Sequence, residues 1–173
     1  MNAPRILLFT GDGKGKTTAA LGMALRAVGH GLPVCVVQFV KSDASVGEVA
    51  AAQKIGIEIL QTGLGFIPTQ RDPDFERHRT SAQAGLQRAR EIIVSRRFAM
   101  VILDEVCLAV ARKLLDQQAV IEALQQAGPE MCLVLTGRNA TPGLVALADT
   151  VTEMRCVKHA FQVGRTAEEG VER

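Results

Sequence analysis

The stretch FTGDGKGKTT at positions 9–18 constrains the fold more than any other part of the chain. An apolar run at residues 5–9 leads into it, and an Ala- and Leu-rich run with helical spacing follows it. A strand, a glycine-rich turn and a helix in this order are the context in which phosphate-binding loops function. Glycines let backbone N–H groups converge on an anion, and the dipole at the helix N-terminus adds to the attraction. The stretch therefore predicts a nucleotide-phosphate site.

Within this loop, Lys16 is placed to reach the β- and γ-phosphates of a nucleotide, and the Thr17 hydroxyl to bind Mg²⁺. The usual pattern begins with glycine where this chain has Thr10, but the neighbouring glycines retain the required flexibility. The alternative, a ligand-free turn, does not account for a Gly-Lys-Thr-Thr sequence. The residues expected to contact ATP are Gly11, Asp12, Gly13, Lys14, Gly15, Lys16, Thr17 and Thr18.

A second motif, MVILDE at residues 100–105, is an apolar strand that ends in two carboxylates. In phosphate-loop enzymes the corresponding strand places an acid beside the Mg²⁺ that the loop threonine holds. Asp104 and Glu105 together with Thr17 therefore predict a site for Mg²⁺, or Mn²⁺ in its place, next to the nucleotide. Glu105 either polarises an attacking water molecule or helps to hold the metal, and the motif leaves both roles open.

The remaining chain alternates short apolar runs with helical stretches, which predicts a single α/β domain over residues 1–173. We expect three layers, with a mostly parallel sheet flanked by helices. The helix after the loop is apolar nearly all round and is expected to be buried. Ser45 and Glu48 have the spacing of a capping box, which predicts that they begin a short helix. Further strands are predicted at residues 33–39, 57–60, 131–135 and 150–154, and helices at 74–97, 117–127 and 142–148.

Ligands of parallel sheets collect beyond the carboxyl ends of the strands. Lys41 and Arg138 follow two predicted strands at this edge. Arg138 is expected to bind ATP by contacting phosphate or another anionic group. Lys41 is a candidate ligand contact, although a solvated loop lysine explains it equally well. The loop at residues 61–70 contains Leu64, Phe66 and Ile67 between glycines and a proline. It predicts either a packed turn or a mobile lid over a planar ligand.

Composition excludes several functions. A net charge of +2, with six Phe and no Trp or Tyr, argues against a nucleic-acid partner. The four cysteines lack metal-ligand spacing, and three of them lie in or beside apolar runs, which predicts buried, reduced thiols. Since the first residues lead directly into a strand without a signal peptide, and no apolar run reaches about 18 residues, we expect a cytoplasmic protein without a membrane partner.

The combined motifs resemble the ATP:corrinoid adenosyltransferases that have a RecA-like P-loop fold, and the resemblance covers essentially the whole chain. Four blocks carry it: TGDGKGKTT at 10–18, VQFVK at 37–41, LDE at 103–105, and ADTVTEMR at 148–155 continuing into VKHAF at 157–161. The glycines at positions 164 and 170, with the Val-Glu that follows the second, extend the last block. That block is the most discriminating, because generic P-loop proteins lack it.

The resemblance implies that a corrinoid reduced to Co(I) attacks the 5′-carbon of ATP, forms a cobalt–carbon bond and expels triphosphate. Lys16 and the loop amides would hold the triphosphate, and Thr17 with Glu105 and Asp104 would hold Mg²⁺. Candidates for the corrinoid side are Lys41, Phe66 and His159. An external flavoprotein reductant and a homodimeric assembly are also implied.

Two departures from the family pattern affect the corrinoid side. The first strand begins by Arg5, so we expect no N-terminal arm over the corrinoid, and Pro68 replaces the second aromatic of the Phe66 loop. These departures favour an incomplete corrinoid precursor as substrate. Two other functions stay open on the motifs alone: a nucleoside kinase of the thymidine-kinase type, whose usual cysteine zinc ribbon is missing, and a nucleotide-dependent regulatory ATPase.

Overall fold

The computed structural model describes residues 3–160, 164, 166 and 168–171. Its six strands form one sheet in the order β3-β2-β4-β5-β1-β6, and every strand pair is parallel. The predicted three-layer α/β fold is therefore confirmed. In chain order the elements are β1 (Arg5–Thr10), α1 (Lys16–Gly29), β2 (Val34–Gln38), α2 (Gly47–Lys54), β3 (Glu58–Gln61), α3 (Phe75–Ser95), β4 (Met100–Asp104), α4 (Val106–Ala111), α5 (Gln117–Leu124), β5 (Cys132–Thr136), α6 (Pro142–Leu147) and β6 (Thr150–Glu153).

The two faces of the sheet belong to separate hydrophobic cores because side chains alternate along each strand. On β4, Val101 and Leu103 join the core that contains Leu86 of α3 and residues of α4, α5 and α6. Ile102 of the same strand joins the smaller core beneath α1 and α2, where alanines such as Ala24 supply the contacts. Both faces are thus covered, as a parallel sheet requires.

Two helix predictions differ from the structure. Helix α1 is not buried all round: its alanines face the sheet, whereas Leu25 on the opposite side is 59% exposed. A helix in the outer layer buries only the side chains that face the sheet, so apolar side chains on its other face remain exposed. The capping box is also wrong, because Ser45 Oγ donates to Asp43 instead, and α2 begins after Val46 without a side-chain cap.

The cysteine prediction is confirmed in part. All four thiols are free, with Cys35 and Cys107 buried, whereas Cys132 and Cys156 are half-buried. Burial raises the pKa of Cys35 and of Cys107 to about 12, so both are protonated thiols near neutral pH. Within the described residues, no helix combines the length and apolar character needed to span a bilayer.

The loop after β3 is a packed turn and is tied to neighbouring elements. The N–H groups of Thr62 and Gly65 donate to the carbonyls of Gln38 and Val40 at 2.9 and 2.8 Å. Ile67 is buried in the larger core, whereas Phe66 in the same turn is 92% exposed. Backbone hydrogen bonds and the buried Ile67 therefore hold the turn in place, and the turn exposes the Phe66 ring to solvent.

Candidate active site

The residues that follow β6 pack against the phosphate loop and form hydrogen bonds with it. The N–H of Gly13 donates to Met154 O at 2.7 Å, and Asp12 Oδ1 accepts from the N–H of Cys156 at 3.1 Å. A Cβ on Gly11 would lie 2.4 Å from Met154 O, so this position requires glycine. The Gly13 N–H and Oδ1 of Asp12 are therefore engaged within the protein in the absence of a nucleotide.

Lys16 begins α1 directly after Gly15, which adopts φ +113°. The lysine is only 6% exposed, and its Nζ donates to Gly13 O at 2.5 Å. Burial lowers the pKa of Lys16, and the nearby Glu105 carboxylate partly opposes that effect. Among the described residues the hydrogen bond of this buried ammonium goes to one backbone carbonyl, so the group is suited to receive phosphate oxygens.

The Asp104 carboxylate lies at the carboxyl end of β4, between the loop and two neighbouring strands. Its Oδ1 accepts from the hydroxyls of Thr17 at 2.8 Å and Thr136 at 2.7 Å. Its Oδ2 accepts from Gln38 Nε2 at 3.1 Å, and Lys41 Nζ lies 3.8 Å from the same oxygen. Asp104 is fully buried, so this arrangement fixes the Thr17 hydroxyl relative to the carboxylate.

Glu105 is held in the unusual left-handed region, with φ +63°, and its N–H donates to Thr136 Oγ1 at 2.9 Å. Its Oε2 is buried and has no hydrogen-bond partner among the residues that the structure describes. Burial, reinforced by the charge of Asp104, raises the pKa of Glu105. Backbone strain and an unpartnered buried carboxylate oxygen on one residue are typical of a site that receives a ligand.

The loop, Lys41, Glu105, Arg138 and His159 line one cavity of about 580 Å³. This volume is sufficient for a nucleotide. Arg138 is exposed and follows Gly137, whose φ of +135° permits the turn out of β5. The structure thus brings together the predicted phosphate, metal and anion contacts, and it places His159 and Lys41 beside them. Phe66 is not among the residues lining this cavity, and Phe161 lies outside the described residues.

The contacts of several site residues were not predicted from the sequence. Thr136 and Gln38 bond Asp104, Glu48 pairs with Lys41, and Met154 supports the loop. For Gln38 and Thr136 a signal existed, because each is a polar residue that ends an otherwise apolar buried strand. Glu48 and Met154 carried no comparable signal, since their roles depend on tertiary proximity alone.

The donor set fits a divalent metal ion bound together with a nucleotide. Among the described residues, no three His, Cys, Asp or Glu side chains lie close enough together to hold a metal ion by themselves. Thr17, Asp104 and the unpartnered Glu105 Oε2 are nevertheless hard oxygen donors at the loop. Mg²⁺ commonly takes one or two protein oxygens and completes its shell with phosphates and water.

This parallel sheet, with its glycine-rich loop, buried lysine and Thr–Asp hydrogen bond, defines a P-loop nucleotide-binding protein. Residues 2–173 match the sequence model of the family described as "ATP:corrinoid adenosyltransferase BtuR/CobO/CobP". The chain belongs to this family, as the motifs predicted. The family is one of enzymes, and the kinase and regulatory ATPase alternatives receive no support.

Curated relatives agree with the family assignment. A "Corrinoid adenosyltransferase" of Pseudomonas aeruginosa is 39% identical over 167 residues, which cover 96% of this chain and 82% of the relative. The protein of that name in Escherichia coli (strain K12) is 38% identical over 169 residues, with 96% and 84% covered. "Corrinoid adenosyltransferase CobA" of Salmonella typhimurium is 40% identical over 167 residues, again with 96% and 84% covered.

Proposed function

We propose that this protein transfers the 5′-deoxyadenosyl group of ATP to the Co(I) centre of a reduced corrinoid and releases triphosphate. The cobalt electron pair forms the Co–C bond as the C5′–O bond breaks, and the leaving oxygen keeps the bonding pair of that C–O bond. The observation that carries the proposal is the buried Lys16 ammonium beside Asp104 and Glu105, in a chain that belongs to the adenosyltransferase family.

The residues of the loop act on the leaving group. Lys16 Nζ exchanges the Gly13 carbonyl for triphosphate oxygens, and Arg138, which lines the same cavity, adds positive charge. Thr17, Asp104 and Glu105 would hold Mg²⁺, which neutralises triphosphate charge when it is bound. Catalysis by this chain is then mainly positioning of C5′ and stabilisation of the departing charge.

The corrinoid side of the proposal involves Lys41, Phe66 and His159. Lys41 and His159 line the cavity, and the exposed Phe66 ring lies on a turn at the same edge of the sheet. Family resemblance supports a homodimer and an external flavoprotein reductant, and Pro68 supports a corrinoid precursor as substrate. Consumption of ATP and the free thiols support a cytoplasmic location.

The direct test is to identify both products. Purified protein, Mg²⁺–ATP and a chemically reduced Co(I) corrinoid should give a light-sensitive adenosylated corrinoid and an equimolar amount of triphosphate. Phosphate chromatography separates triphosphate from diphosphate and phosphate. Formation of ADP or of phosphate in place of triphosphate would contradict the proposal.

Phe66→Ala should weaken corrinoid binding without destabilising the protein. The ring is 92% exposed, so its removal costs little folding energy, whereas an aromatic contact to a bound macrocycle contributes about 0.5–1.5 kcal/mol. We expect KM for the corrinoid to rise about threefold to tenfold, with KM for ATP unchanged. Val94→Ala, at an exposed position on α3, is the control. An unchanged corrinoid KM would remove Phe66 from the corrinoid site.

A further inference from the structure

The buried Gln38 side chain connects the carboxyl ends of three strands. Its Nε2 donates to Asp104 Oδ2 at 3.1 Å, and its Oε1 accepts from Gln61 Nε2 at 3.0 Å. Gln61 Nε2 also donates to Asp43 O at 3.1 Å. Gln38 is 0% exposed, so neither end of its amide can exchange its partner for water.

The direction of this chain of hydrogen bonds follows from donor and acceptor chemistry. An ionised carboxylate only accepts hydrogen bonds, so Gln38 must turn its NH₂ group towards Asp104 and its oxygen towards Gln61. Gln61 must then turn its NH₂ group towards Gln38. Among the described residues Thr17 and Thr136 both donate to Oδ1 of Asp104, and Gln38 donates to Oδ2.

We propose that Gln38 is a positioning residue for the metal-bound nucleotide: its amide holds Oδ2 of Asp104 so that Oδ1 stays on Thr17, and Gln61 sets the direction of that amide. Without the Gln38 donor, the Lys41 ammonium, whose Nζ lies 3.8 Å from Oδ2, would draw the carboxylate away from Thr17. That the nucleotide is ATP rests on the proposed function, whereas the hydrogen bonds of Gln38 and Gln61 are observed in the structure.

The test measures how strongly metal and nucleotide support each other's binding. ATP affinity is measured by calorimetry, once with Mn²⁺ and once with EDTA, and the ratio of the two dissociation constants gives the coupling. Gln38→Met keeps the side-chain volume and removes both hydrogen bonds. We expect it to lower the coupling about tenfold, as loss of an outer-shell partner of a metal ligand does, while ATP affinity in EDTA stays unchanged. If Gln38 served only the stability of the fold, Gln38→Met would leave ATP affinity unchanged in both Mn²⁺ and EDTA, or would lower both affinities by the same factor.

Two substitutions of the partly buried Gln61 separate amide direction from packing. Gln61→Met removes a donor but leaves Gln38 free to bond Asp104, so the coupling should stay within about twofold of wild type. Gln61→Glu offers only acceptors, so its carboxylate should compete with Asp104 for the Gln38 NH₂ group and lower the coupling about tenfold. By Coulomb attraction alone, the added negative charge would strengthen metal binding.

The proposal would be overturned if the two Gln61 variants showed equal coupling between metal and nucleotide, or if Gln61→Glu showed stronger coupling than wild type. If Gln38→Met does not fold, the Gln61 pair decides alone, because that side chain is at the surface end of the chain of hydrogen bonds. The corrinoid assay on wild-type protein is read separately. Failure to form adenosylated corrinoid there would reject the proposed function and leave the measured coupling valid.

Discussion

Lys16→Ala is expected to lower the rate of adenosyl transfer by about 100-fold or more, the cost of removing one fixed donor from developing negative charge. Lys16 is the buried cation of the loop, and its ammonium donates to Gly13 O before phosphate binds. A charged group that is already desolvated and oriented stabilises the departing triphosphate with little rearrangement. The measurement is single-turnover formation of the adenosylated corrinoid at saturating ATP.

Lys54→Ala is the matched control for charge and residue type, since Lys54 is an exposed lysine at the end of α2. Its rate should stay within about twofold of wild type. Lys16→Arg should also be slow, because a planar guanidinium does not fit the buried position of a compact ammonium. Near-normal turnover of Lys16→Ala would refute the assignment of Lys16 to the triphosphate.

Glu105→Gln is expected to raise the Mg²⁺ concentration that gives half-maximal rate by about tenfold, on the scale seen when groups that tune a metal site are replaced. The unpartnered Oε2 is a hard anionic donor beside the loop, and an amide at this position is a weaker ligand for Mg²⁺. The rate should recover at high Mg²⁺. An unchanged Mg²⁺ requirement would exclude Glu105 as a ligand.

The same substitution should make the ligand-free protein more stable. The folded protein raises the pKa of Glu105, so in wild type the folded state retains a proton that the unfolded state releases. The free energy of unfolding therefore falls as pH rises from the ordinary glutamate pKa of about 4.3 through the raised value of the folded protein.

Glu105→Gln removes this proton release. Its melting temperature should exceed that of wild type above the raised pKa, and the difference should shrink as the pH approaches about 4. Thermal unfolding in buffers without metal or nucleotide measures the effect. Lower stability of Glu105→Gln across the whole pH range would show that the ionised carboxylate is favourable in the apo site.

The elements that the sequence predicted well are those with continuous local patterns. The loop, the strand ending in Asp104 and the alternation of strands with helices follow from residues adjacent in the chain. Helix boundaries held to within a few residues where the apolar spacing was regular, as in α3. Local hydrogen bonding decided the failure at Ser45, since a serine near an aspartate can bond that side chain instead of a helix end.

The contacts that were not predictable arise from strand order. Gln38, Asp104 and Thr136 are far apart in sequence and meet because β4 lies between β2 and β5. Which strands become neighbours depends on how the whole sheet packs, and no local pattern in the chain encodes it. The hydrogen bond from the Gly13 N–H to Met154 O also depends on strand order, because it requires β6 to pair with β1.

The support of the phosphate loop by residues 154–156 has a consequence for protein synthesis. The loop is synthesised more than 100 residues before β5 and β6, the two strands that pair with β1 in the described part of the chain. A nascent chain therefore carries the nucleotide motif for a long stretch of translation without the contacts that shape it. Such long-range pairing is slow to form, so ATP binding by this protein should begin only after residues 154–156 have left the ribosome.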